Sequence, residues 1–301
     1  MKRIILPVAL LSLLVSCERK VIESVTPAGG KDSAEAIEAA SKEYVLAKEG
    51  MEHLVGNSVD MIKKQHMYDV QMEFISQGIS NSGEMEIATS KREWRQCMGP
   101  DKFRDTILVD KKRQSVGFGG KMVPGEEADP SPLLNVPVLY ERVDGAWVAK
   151  LEDESKLTDE ISGMLGKMGE SIGEDLKIYG AGPRRLGDEW EVDVKKVKLQ
   201  DAKSGFVKLM FMGVEEFQGQ ECAVFSVHYK VDGQPDGENF TMSMEMKGTI
   251  KRSLKYYVDL ESKLSGTVVL SGSPNKSLRV KGQGKVSIEE TAKVVVPPAV
   301  Q

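Results

Sequence analysis

The sequence is poor in the residues around which enzymes and metalloproteins are usually built. It holds 3 histidines and 3 cysteines among 301 residues. His53, His66 and His228 stand far apart, and no Cys-x-x-Cys or His-Glu-x-x-His spacing occurs, so no metal constellation is visible and no cofactor is expected. Basic residues are not gathered either: Lys+Arg 41 against Asp+Glu 46 gives a net charge of -5. Without clustered Lys and Arg to meet phosphates, nucleic acid is not an expected partner. Gly117-Phe118-Gly119-Gly120-Lys121 and Gly180-Ala181-Gly182-Pro183 fit neither phosphate-loop spacing and read as turns. Ser273-Pro274-Asn275-Lys276 carries the letters of Ser-x-x-Lys without a helix start or companion motifs. No nucleophile stands beside a base, and the expectation is a non-enzymatic protein.

Long apolar runs are also missing. Ile4 to Val15 is too short to cross a bilayer, which takes about 20 helical residues. Lys2 and Arg3 precede it and Leu14-Val15-Ser16-Cys17 ends it, the order of a positive n-region, an apolar core and a processing site. This segment resembles the lipobox of bacterial lipoproteins. The resemblance implies that Cys17 is lipidated and becomes the mature N-terminus, anchoring the protein to a membrane that it does not span. Glu18, rather than Asp, follows the cysteine. By analogy with lipoprotein sorting this implies the outer membrane of a bacterial envelope, facing the periplasm. Residues 18–43, with Thr26-Pro27-Ala28-Gly29-Gly30, read as a tether followed by a short helix capped by Ser33 and reaching about Tyr44.

What the chain has in abundance is alternation. Trp190/Val192/Val194, Val207/Leu209/Phe211, Ala223 to Val231, Phe240/Met242/Met244/Met246, Leu254/Tyr256/Val258/Leu260, Leu264/Gly266/Val268/Leu270 and Leu278/Val280 each put apolar residues at every second position, the period of half-buried strands. Gly213, Asp232-Gly233, Asp236-Gly237, Gly272 to Asn275 and Gly282 punctuate them as turns of an antiparallel meander. Upstream, Met51 to Ile62 alternates weakly. Tyr68, Val70, Met72 and Phe74 form one strand face, Asn81-Ser82-Gly83 turns the chain, and Met85, Ile87 and Thr89 return it. Ile107 to Val109 and Ser115 to Phe118 are two weaker strands, and Pro124 to Pro132 is an acidic loop. Val138 to Leu151 is a hairpin around Asp144-Gly145, a pair suited to the two positive φ values of a type I′ turn. One amphipathic helix, about 158–172, begins at a Thr158 cap and repeats Ile161, Met164, Leu165, Met168 and Ile172 at helical spacing.

The expected fold is therefore mainly β, within α+β: a long curved antiparallel meander with one helix packed on it, forming one domain over 44–301. The alternative is two sheet modules, about 44–155 and 184–290, joined near Lys156 to Pro183. In outline this is similar to envelope lipoproteins of the LolA/LolB and LppX type, in which a curved sheet shelters an acyl chain beneath a helix. That outline implies an apolar or lipid-like ligand in a groove formed by Phe240, Met242, Met244, Met246 and Tyr256 with Met164, Leu165 and Met168. Methionine equally serves as flexible core filler. A solid platform that docks another envelope protein, for instance through Pro124 to Pro132, is the competing function. Cys97 and Cys222 are either a disulfide, in an oxidising compartment, or two buried thiols.

The lipobox reading has a direct check. Intact mass spectrometry of mature protein should give a chain that begins at Cys17 and carries acyl chains, and Cys17→Ser should remain unprocessed and unacylated. Mature material with an unmodified Cys17 would sink the anchor.

Overall fold

A computed structural model describes residues 41–119, 121–169, 172, 175–197, 202–234, 239–275 and 277–297. Cys17, most of the tether and helix expected before Tyr44, and Asp236-Gly237 lie outside them. Twelve strands follow in order: β1 Ser58–Ser76, β2 Ile79–Gly99, β3 Lys102–Phe118, β4 Lys121–Glu127, β5 Val138–Val143, β6 Ala146–Leu151, β7 Glu189–Asp193, β8 Ala202–Phe217, β9 Gln220–Gly233, β10 Phe240–Ser253, β11 Asp259–Asn275 and β12 Leu278–Val295. Two helices, α1 Asp159–Met168 and α2 Asp175–Tyr179, fall between β6 and β7.

All the strands belong to one antiparallel sheet of order β6-β5-β3-β2-β1-β12-β11-β10-β9-β8-β7, with β4 on the free side of β3. The chain lays down one meander outward from β1 to β6, crosses to the opposite edge through the helical segment, and returns strand by strand from β7 to β12. The seam is the β1–β12 ladder, from Ser58↔Val295 to Ser76↔Leu278. The two halves are therefore one sheet and not two modules.

Its inward face carries Leu209, Phe211, Phe225, Val268 and Val280, all essentially without exposure. The only non-strand residues fully buried with them are Leu46, Ala47, Tyr179, Val194 and Val197 among those described. Such a thin cover cannot shield so wide a face, so the sheet curls and its opposite walls shield one another.

The strands are longer than the alternation suggested, and the turns lie elsewhere. The weak strand expected over Met51 to Ile62 is a 3-10 turn, Glu52–Leu54, leading into β1, which runs on through Phe74. The β1–β2 turn is Gln77-Gly78, with φ of 51° and 81°, and β8 turns into β9 at Gln218-Gly219, with φ of 52° and 72°. Asn81-Ser82-Gly83 and Gly282 sit inside strands, and Gly213 follows a register shift in β8. A Cβ at Gly282 would lie 2.3 Å from Met72 Sδ. Glycine here makes room for a neighbour and does not reverse the chain.

Ile107 to Val109 and Ser115 to Phe118 are both parts of β3, and the expected loop from Pro124 opens as β4 on its edge. The run Leu254 to Leu260 is broken: β10 ends at Ser253 and β11 starts at Asp259, so Tyr256 lies in the connection. Tyr68 is separated from Val70 by a bulge. Asp69 takes a φ of 53° and the register slips on both sides of β1, which turns Tyr68 outward while Val70 stays in.

Two local expectations hold closely. Asp144 and Gly145 take φ of 52° and 82° between β5 and β6. The Thr158 side chain accepts a hydrogen bond from the Ile161 N–H at 3.2 Å, capping α1, which ends four residues before Ile172 as a helix.

Gly266, opposite Met246 in the β10–β11 ladder, tests the closeness of this packing. A Cβ there would stand 1.8 Å from the Glu245 carbonyl oxygen. Gly266→Val raises strand propensity yet should destabilise the protein by about 1–3 kcal/mol. A thermal unfolding midpoint at or above that of the parent would contradict this packing.

Candidate functional site

The inward face is not uniform along the strands. Toward the Ser76 end of β1, Met67 and Met72 of β1, Met85 of β2 and Met242, Met244 and Met246 of β10 are all buried in one apolar cluster. Phe240 packs on it from the rim. The methionine file expected from the sequence is thus inward, and it is joined by three methionines from another wall.

Toward the Ser58 end a second cluster holds Leu165, with Met164, Met168 and Tyr256 at its margin. Phe103 stacks on Tyr140 at 4.5 Å and meets Trp147 edge-on at 5.1 Å, and Ile161 and Leu165 of α1 are buried in this cluster. The groove residues named from the sequence are therefore divided: Phe240, Met242, Met244 and Met246 at one end, Tyr256, Met164, Leu165 and Met168 at the other. The reason is the chain path. The helix follows β6 after a few residues and settles over that edge of the sheet, away from the β10 file. It seals an aromatic core and does not roof the methionines.

Between the two clusters the same inward face turns polar. Gln65 of β1 is opposite Thr89 of β2, and Lys63 is opposite Lys91. Gln65 is only 3% exposed. Its Oε1 accepts from Thr89 Oγ1 at 3.3 Å, whereas its Nε2 is buried with no partner. Lys63 pairs with Glu290 of β12, and Lys91 with Glu93 at 2.6 Å. Burial opposes ionisation of Glu93, but Lys91, Arg95 and Lys63 around it hold its carboxyl below the usual carboxylate range. An amide donor left without an acceptor in such a place costs roughly 1–3 kcal/mol. No sequence signal marked Gln65, because a polar residue at an inward position only looked like lost alternation.

At the Ser58 end, Arg252 of β10 ties the layers together. Its guanidinium is 1% exposed. It donates to the Leu46 carbonyl at 2.7 Å, to Asp259 at 2.6 Å and to Asp175 of α2 at 2.7 Å. It also lies 4.1 Å from the Tyr179 ring centre, and the Tyr179 hydroxyl donates to Asp259 at 3.0 Å. Burial pushes the Asp259 carboxyl up, while Arg252 beside it pulls the other way. Trp190 Nε1–H, donating to Ile178 O at 2.8 Å, fixes the same segment to β7. A lone arginine at a strand end has no periodic signature, so this tie was also invisible in the sequence.

The remaining sequence candidates resolve simply. Cys97 and Cys222 are buried free thiols and not a disulfide. Burial pushes each up to about 11, which leaves them protonated and inert at neutral pH. His66 and His228 face outward against Glu86 at 2.7 Å and Glu245 at 2.8 Å. Among the described residues no group of three or more His, Cys, Asp or Glu is gathered as for a metal.

The outward face carries many ion pairs. Arg92 forks onto Asp60 at 2.9 and 2.7 Å, and Lys208–Glu189, Lys251–Glu215 and Lys285–Asp69 pairs span neighbouring strands. A spanning barrel has apolar residues toward lipid and polar ones within; here the polarity is the reverse.

The chain matches no known family and no curated protein. Among solved structures it is similar to lipovitellin, in a structure concerned with lipid–protein interactions, at 10% identity and a TM-score of 0.45. That match covers 83% of this chain and 26% of the other, so the chain spans about a quarter of lipovitellin's length. The outer membrane protein OprG of Pseudomonas aeruginosa is similar over 82% of this chain and 99% of its own, at 7% identity and a TM-score of 0.18. The translocator domain of the autotransporter NalP of Neisseria meningitidis is similar over 86% of this chain and 92% of its own, at 7% identity and a TM-score of 0.20.

Replacing Arg252 by Met keeps its bulk but leaves the half-buried Asp259 carboxylate without a counter-charge and the Leu46 carbonyl without its donor. Arg252→Met should cost about 3 kcal/mol or more, lowering the unfolding midpoint by roughly 6–12 °C for a chain of this size. A shift of under about 3 °C in a circular-dichroism melt would show that the tie is not a structural one.

Proposed function

We propose that this protein is a non-enzymatic binding module, held on the bacterial envelope by Cys17, that carries one amphipathic, lipid-like molecule within its curled sheet. The observation that carries the reading is the unpartnered Gln65 Nε2, set in a polar band that adjoins an apolar interior lined by six methionines. An ester or phosphate oxygen of a head group would supply the acceptor that the amide lacks. Lys63 and Lys91, on the same face and each beside a glutamate, make the band polar without a net charge of one sign, which suits a polar head group. The acyl part would run from there toward Phe74, about 30 Å along β1 at the rise of a strand.

Methionine suits the task because its unbranched thioether repacks at little cost. Two walls joined through Met67, Met72 and Met85 on one side and Met242, Met244 and Met246 on the other can part around a chain and close again without it. The location argued from Glu18 and the lipobox, an outer membrane facing the periplasm, gives such a module a lipid source.

Native mass spectrometry of protein purified from its own membrane should show a bound lipid-like mass. Changing Met242, Met244 and Met246 together to Ile keeps the volume but stiffens the side chains, and should weaken retention roughly tenfold, about 1.4 kcal/mol, with the fold retained. Gln65→Leu should leave stability unchanged or raised and lose discrimination between head groups. An interior that is empty in native material would abandon this reading in favour of a solid platform for an envelope protein.

A further inference from the structure

The rim at the Ser76 end of the sheet carries exposed apolar side chains from three adjacent strands. Ile79 at the start of β2, Phe118 at the end of β3 and Met122 and Val123 on β4 are 65%, 58%, 38% and 65% exposed. They lie on adjacent strands at one end: Gly83 pairs with Phe118, Gly117 with Met122, and Val116 with Val123, with Phe118 and Val123 on the inward face and Met122 on the other. The patch is built. The Phe74 and Phe118 rings lie 5.7 Å apart, tilted against each other, and a Cβ at Gly83 would come within 3.1 Å of both. Only a glycine leaves them that seat.

Charge is sparse on the β2–β3–β4 side of this end, and acidic groups are absent from it. Residues 74–83 and 114–125, brought together where Gly83 is opposite Phe118, hold a single charged side chain, Lys121, in a protein that is 29% charged. On the neighbouring β12 strand Arg279, opposite Ile75, adds a second positive charge. Finally, Phe74 packs on the methionine-lined cluster, so the exposed patch continues without a polar break into the interior.

We infer that this rim is a bilayer-contacting surface, distinct from the Cys17 anchor, through which the interior and a membrane share one apolar path. Uncharged hairpin ends enter the head-group boundary without stripping water from ions, and exposed Phe, Ile, Val and Met gain from burial there. Lys121 and Arg279, both positive, suit an anionic surface. The inference rests on the binding reading above in one respect, that the path has a lipid-like molecule to pass.

The test reconstitutes the full chain in vesicles of phosphatidylethanolamine and phosphatidylglycerol, with or without brominated acyl chains. Val123→Trp places an indole on the rim, and Val148→Trp places one on the exposed β6 edge at the other end; emission is read as the difference from the parent, which has its own tryptophans. The indole at position 123 should shift to the blue and lose roughly half or more of its emission to bromine, as expected for a depth of about 5–10 Å, while the one at position 148 should not. Val123→Asp, at a site 65% exposed, should abolish vesicle protection of the Ile79 region from proteolysis without changing the unfolding midpoint. Equal quenching at both positions, or none at 123, overturns the contact. A lipid-like mass found by native spectrometry together with an unquenched rim overturns this inference alone, whereas a quenched rim around an empty interior supports it and removes the binding reading.

Discussion

The architecture depends on one ladder, the antiparallel pairing of β1 with β12. Remove it and the molecule falls into two open meanders, each with a long unpaired edge and an apolar face too wide for its own cover. With it, the sheet becomes continuous and wide enough to curl, and burial of the inward face follows from curvature with little help from a second layer. The β1 strand meets the demand by being long and by pairing on both sides through nearly its whole length. Arg252 completes the arrangement by fastening the N-terminal segment and α2 to the strand ends.

The polar band around Gln65 sets the stability of this fold against a use for it. A buried amide donor without an acceptor works against folding, and an aliphatic residue would have filled the same inward position without that cost. The neighbouring lysines are paired with Glu290 and Glu93, so the charged groups of the band are satisfied and the amide alone is not. On the proposed reading the defect is local, sits where a head group would rest, and lies beside side chains chosen for pliability.

Much of the build was legible in the sequence because it follows from short-range rules. The β5–β6 hairpin needed only Asp144-Gly145, the start of α1 needed only Thr158, and the long meander needed only period two. What escaped had a non-local cause. Glycines at 83 and 282 read as turns because a chain alone does not say which neighbour presses on it; their reasons are an aromatic pair and Met72. The bulge at Asp69 turned Tyr68 away from Val70, since one residue in the left-handed region resets the parity of everything after it. The methionine file on β10 was rightly inward, but its pairing with α1 failed on connectivity. The helix had too little chain after β6 to reach it.

The same long ladder has a bearing on when during its synthesis such a protein can fold. Its first strand and its last are more than 200 positions apart in the chain, and pairing between such distant segments is slow to form. A chain made N-terminus first presents β1 long before β12 exists. The sheet cannot close until the whole polypeptide has been made, so the first half waits with an open edge for a partner that arrives last.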